Sequence, residues 1–239
     1  MIYKTEYAGT VIKYTIEKRK RKTISIQIDT NGDVKVVAPI NVNEQYISDI
    51  VLKKGKWILE TREKVIKKMN EKVIREIKDG STFLFLGKEY PLQLIYDYSL
   101  KHMKVSFNES EGKFVIKANT EDKEKIKKEL EKWYRSKTME IVLKKIKKHE
   151  NKFKDKVTEV KVKEQKRRWA SCTYKNAILF NWRCSMARED VVEYIVVHEM
   201  CHFDYKNHSK DFWNRVAEIM PDYREKHEYL RKNGMNFYI

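Results

Sequence analysis

The sequence predicts an α+β fold: a β-rich N-terminal half with one helix, then a C-terminal half of a short sheet plus helices. Three observations predict it. The first forty residues alternate apolar and polar at period two, residues 43–70 and 121–150 change to helical period, and three more helical patterns close the chain. A chain of 239 residues with 41% apolar composition can bury a substantial core, and only 7 Gly and 3 Pro exclude long flexible linkers.

Taken in order, "TVIKYTIEK", "TISIQID" and "DVKVVAP" predict strands, and the last two flank "TNGD", whose Asn31-Gly32 pair signals a hairpin. Residues 43–70 predict a single helix capped by Asn43, with Ile47, Ile50, Val51, Ile58, Val65 and Met69 on one stripe. "TFLFLGKEYPLQLIY" predicts two strands around Gly87-Lys88, and "KVSFNESEGKFVIKA" a hairpin. The charged segment 121–150 predicts a helix that buries Ile126, Leu130, Trp133, Ile141 and Val142 and bridges the two halves. Strands in "TEVKVKE", "RRWASC" and "AILFNWR" follow, then helices near 188–203, 209–220 and 222–233. This grouping divides the chain into a region 1–118 and a region 119–239, and no stretch repeats another in sequence.

The net charge of +17 suits an anionic partner such as nucleic acid or a nucleotide, although runs such as "EKRKRK" also read as solvated surface. No recognised nucleic-acid-binding motif is present. Three cysteines form no disulfide framework. With no signal peptide and no apolar run of membrane-span length, the expectation is a cytoplasmic protein without a membrane partner.

The chemistry concentrates in "VVHEMCHFDYKNHSKDFW", residues 196–213. His198 and His202, four apart on a helix, project from one face and can reach one ion. Glu199 lies about 100° round the helix, placed to touch a water on the metal and act as general base. His208 falls in the turn before Ser209, the predicted cap of the next helix, and is free to swing towards the pair. Three histidines with an open fourth position make the catalytic Zn2+ arrangement. Cys201, adjacent to His202, reads as a buried thiol.

At these residues the chain resembles the YgjP-like metallopeptidase family, relatives of the SprT-like and WLM zincins. The resemblance runs through "RKTISIQIDTNGDVKVVAP", "KKGKWILE", "RRWASC", "ILFNWR", "EYIVVHEMCHFDYKNHSKDFW" and "MPDYREKHEYL". It implies a zincin-like C-terminal half with HExxH on the active helix, zinc ligands at His198, His202 and His208, and Glu199 as catalytic base. The family usually has Gly where this chain has Ala170; if that Gly needs positive φ, Ala170 strains its loop. The His202-to-His208 spacing equals that of metzincins, but Tyr205 replaces their central Gly.

The function expected is a zinc-dependent metallopeptidase in which Glu199 activates a zinc-bound water against peptide bonds of a peptide or protein substrate. "AILFNWR" is the expected edge strand beside the active helix, pairing with extended peptide. The alternatives are a metal-dependent nucleotide pyrophosphohydrolase, since Arg167, Arg168 and Arg183 flank the presumed site, and a DNA-associated protein with a non-catalytic zinc site. Arg183 is thus a candidate substrate contact, and Tyr205 and Tyr223 are candidate oxyanion donors. Asp204 or Asp211 can orient a ligand histidine, and Glu218 is a fallback ligand. His102, His149 and His227 read as surface groups, and Trp169, Trp182 and Trp213 as core.

Overall fold

The computed structural model describes residues 1–29, 31–70, 75–165 and 168–239, with only the backbone of residues 68–70. Arg167 and the Met69 side chain therefore lie outside the described residues. The chain divides into two compact units, residues 1–72 and 73–239.

In the first unit, β1 (Ile2–Tyr7), β2 (Thr10–Arg19), β3 (Ser25–Ile28) and β4 (Val34–Pro39) form a sheet of order β1-β2-β4-β3. The β1–β2 and β3–β4 pairs are antiparallel, and β2–β4 is parallel. The Asn31-Gly32 turn closes the β3–β4 hairpin as predicted, Gly32 at φ +81°. The single helix expected over 43–70 is two, α1 (Glu44–Lys53) and α2 (Gly55–Asn70). Asn43 caps α1 through its side chain. At Gly55 the backbone lies against the Tyr7 ring, where a Cβ would sit 2.3 Å from a ring carbon. Ile12, Tyr14, Val36, Ile47, Val51 and Ile58 form this unit's core.

The second unit opens with the same topology. β5 (Thr82–Phe85), β6 (Lys88–Tyr96), β7 (Lys104–Asn108) and β8 (Lys113–Ala118) are ordered β5-β6-β8-β7, again two hairpins joined by a parallel central pair. The fold thus repeats a unit that the sequence does not. Topology depends on hairpins and period-two burial, which dissimilar residues can supply equally.

The division falls near residue 72 and not at 118, because β5–β8 share a core with everything that follows. Phe83, Leu92, Phe114 and Ile116 pack with Leu130 and Tyr134 of α3 (Lys123–His149). The Tyr134 hydroxyl donates to the Leu84 carbonyl at 2.6 Å. The tip of the β5–β6 hairpin, Leu86-Gly87, donates both amides to the carbonyls of Ser185 and Met186, in the 3-10 turn Trp182–Met186. That turn leads into α4 (Glu189–Cys201), so the second sheet braces the helix that bears the motif.

A three-stranded sheet, β9 (Glu159–Lys163), β10 (Ala170–Cys172) and β11 (Ala177–Asn181), has order β10-β11-β9. β11 is therefore central, pairing antiparallel with β10 and parallel with β9, and the edge strand expected in "AILFNWR" is β10 instead. Both faces and both edges of β11 are used, and Ile178 and Phe180 are fully buried. α5 (Lys210–Ile219) and α6 (Tyr223–Asn233) complete the unit. Among the described residues no helix is long and apolar enough to cross a membrane.

α3 also grips α4 through charge. His149 is buried, not a surface group, and its Nε2 lies 2.8 Å from the Glu193 carboxylate of α4. Lys145 and Lys148 reach the same carboxylate at 3.1 and 2.6 Å. Burial alone would raise the Glu193 carboxyl, but hydrogen bonds from Lys148, His149 and Lys145 bring it down to about 2.

Candidate metal centre

α4 runs through the core, with Val191, Val192, Val196 and Val197 fully buried. Its last turn carries His198 and Glu199, and His202 is its C-cap. The chain then turns back, tied by hydrogen bonds from the Phe203 and Tyr205 amides to the Met200 and Cys201 carbonyls. Ser209 caps α5 by accepting from the Phe212 amide, which leaves His208 in the turn between the helices.

This connection brings the three imidazoles together. One ligand atom from each of His198, His202 and His208 lies within 4.8 Å of the others, and the Nε2 atoms of His198 and His208 are 3.0 Å apart. Nitrogens bound to one zinc at about 2.0–2.1 Å stand roughly 3.3 Å apart, so small ring rotations suffice. His202 Nδ1 donates to the Tyr205 carbonyl at 3.0 Å, which leaves its Nε2 as the free lone pair. His198 Nδ1 lies 3.4 Å from the Tyr194 hydroxyl. Phe212 packs on the His198 and His202 rings, and Trp213 stacks on His208 at 5.7 Å, so the rings are held by aromatic walls.

Electrostatics favour neutral donors. Burial, then the neighbouring His202 and His208, pushes His198 down to about 3. Burial also lowers His202, against the pull of the Tyr205 carbonyl. Glu199 is 6% exposed, and burial raises its carboxyl to about 7, opposed by a hydrogen bond from the Cys172 backbone N–H and by Arg168. Three imidazole nitrogen donors with an open side suit zinc better than the oxygen-seeking Mg²⁺. Cys201 is buried and its thiol is pushed up to about 12, mainly by that burial, so it stays protonated.

The triad and Glu199 open into a cavity of about 750 Å³. β10 forms one wall. The Asn181 amide donates to the Trp169 carbonyl and the Thr173 amide to the Ala177 carbonyl, so residues 169, 171 and 173 face β11. By alternation, the backbone groups of Ala170 and Cys172 point out from the free edge, and the Cys172 N–H meets Glu199. Ala170 lies in this extended strand and is not among the described non-glycine residues with positive φ, which are Ala8, Leu86 and Asn176. The strain considered for it is absent.

The remaining candidates lie elsewhere. Arg183 is stacked between Trp182 and Tyr238, 4.6 and 4.7 Å from their ring centres, and is ion-paired with Glu164. It lines a separate cavity of about 240 Å³. Tyr205 meets the triad through its carbonyl. Tyr223 is buried against Trp213 and Tyr194, behind the wall of the cavity. Asp204 and Glu218 both pair with Arg215, and Asp211 sits in the first turn of α5. Sequence reasoning missed His227 and Lys206, and named Arg168 only as a flanking charge; all three line the metal cavity. The one local signal was that Arg168 precedes a short strand that ends beside the HExxH helix.

The match to known families spans the whole of this arrangement. The model of the YgjP-like metallopeptidase domain matches residues 22–233. No curated protein matches the chain. A solved structure, the metallopeptidase zymogen jannalysin of Methanocaldococcus jannaschii, is 21% identical over 40% of this chain and 94% of that one, with a TM-score of 0.33. A family match that begins in the first sheet and ends after α6 takes in the triad, Glu199 and every wall of the cavity, and on it the chain belongs to the YgjP-like metallopeptidase family.

Proposed function

We propose that the protein is a zinc-dependent peptidase, with His198, His202 and His208 holding the ion and Glu199 as general base. The observation that carries this reading is the convergence of three imidazoles with one buried carboxyl on a single cavity. Bound there, zinc would acidify water and polarise a carbonyl. Glu199 takes a proton from the attacking water and passes it to the leaving amine. An extended peptide lies along β10, bonded to the outward N–H and carbonyl of Ala170 and the Cys172 carbonyl, which hold any sequence through main-chain atoms. The three free cysteines suit the reducing cytoplasm, where we place the protein.

Metal analysis of the purified protein beside a Glu199→Gln variant tests this. Both should carry one zinc per chain, and the variant should lose about 10²–10⁴-fold in peptide hydrolysis. Wild-type protein free of zinc would refute the reading. So would pyrophosphate release from nucleotides without any peptide cleavage.

A further inference from the structure

We propose that Arg168 makes the enzyme select substrates with an acidic side chain, about two to four residues to one side of the scissile bond. This rests on the peptidase reading above. Arg168 lines both the metal cavity and the neighbouring cavity of about 240 Å³, which share Arg168, Trp169 and Leu230.

The charge balance there is one-sided. Among the described residues the one carboxylate lining the metal cavity is Glu199, which is buried, and none lines the side cavity. Other arginines nearby are matched: Arg183 by Glu164 and Arg231 by Glu228. The Arg168 guanidinium has no hydrogen bond or ion pair among the described residues. Its backbone is nevertheless fixed, because the Asn181 side-chain amide donates to the Arg168 carbonyl at 3.2 Å. A carboxylate entering this space meets the Arg168 guanidinium, which no described carboxylate pairs, whereas Arg183 is already held by Glu164. A neutral side chain leaves Arg168 unmatched.

The distance follows from the strand. Arg168 lies four residues before Cys172, whose N–H marks the position of Glu199. β10 covers only Ala170–Cys172 and Trp169 is a bend, so at about 3.3 Å per residue roughly 13 Å is the upper limit of the separation, and the long arginine shortens what the substrate must span. A peptide paired with β10 advances at the same rise, so its acidic residue falls within that window.

Mass-spectrometric mapping of cleavage sites in a peptide library by the zinc-loaded full chain would locate the scissile bond. Matched peptides with Glu, Gln or Lys at each flanking position then give kcat/KM ratios. The wild type should favour Glu over Gln by about tenfold or more at one position in the window. Arg168→Gln should bring that ratio close to one, and Arg168→Glu should turn the preference towards Lys. Zinc content measured on each variant confirms that it is folded. A wild-type Glu-to-Gln ratio near one at every position overturns the proposal, as does a preference that survives Arg168→Gln. Either result leaves the peptidase reading standing, whereas failure to cleave any peptide overturns both.

Discussion

Each imidazole of the triad has a different support, so removing each should have a different cost. His208 is exposed in its turn, and its ring is held mainly by stacking on Trp213. We expect His208→Ala to change the stability of the metal-free chain by no more than about 0.5 kcal/mol. Zinc affinity should fall by more than the 10–100-fold typical of losing a supporting hydrogen bond, as chelator competition would show. A loss of stability as large as the loss of affinity would mean that the ring is structural. Ala170 gives a second test at this scale. Its backbone is that of a strand, so Ala170→Gly should destabilise by about 0.5–1 kcal/mol through chain entropy, measured by urea unfolding. A stabilising effect would show that strain is present after all. These two positions mark what was legible. The triad and Glu199 fall within eleven residues at helical spacing, so local geometry identifies them. Arg168, Lys206 and His227 come from three separate segments, and nothing in their immediate neighbours says that a cavity joins them.

At the level of elements, the helix that bears His198, Glu199 and His202 is only as well placed as its attachments. α3 holds α4 through Glu193, whose carboxyl is depressed from 4.5 to about 2 by Lys148, His149 and Lys145 in spite of its burial. A group depressed in the folded state stabilises above its unfolded pKa and loses that contribution as pH falls through the folded value. Glu193→Gln should therefore cost about 2–3 kcal/mol at pH 7, and the gap from wild type should narrow below about pH 4.5 and close near pH 2. Equal loss at pH 7 and pH 3 in urea titrations would contradict this account. The second attachment is the β5–β6 turn. Gly87 has φ +81°, and a Cβ there would lie 2.5 Å from the Arg188 side chain and 3.0 Å from its Cα. Gly87→Ala should cost at least about 1–2 kcal/mol, because backbone strain and a clash with backbone act together. Hairpins and helices of this kind were legible from period and turn residues. The order β10-β11-β9 was not, because strand neighbours depend on pairings between distant segments, and the strongly apolar "AILF" marks a buried strand whether it is central or at an edge.

For the whole molecule, the question is what the first unit contributes. Its core draws on Ile12, Val36, Ile47 and Ile58 and shares no residue with the core of the second unit. Every wall of the metal cavity and each attachment of α4 named above belongs to residues 73–239. Yet the family match starts at residue 22 and includes β3, β4 and both helices of the first unit, so the family's defining sequence is not confined to the chemistry. Separate cores imply separable folding, and the smaller unit, with its short sheet and two helices, is the more marginal of the two. A fragment of residues 73–239 should therefore fold and bind one zinc with the affinity of the full chain, measured by chelator competition. Its unfolding should remain cooperative. If the fragment binds zinc but hydrolyses the mapped peptides with a raised KM and unchanged kcat, the first unit serves substrate binding. A fragment that fails to bind zinc would show that the metal site depends on the first unit despite its separate core.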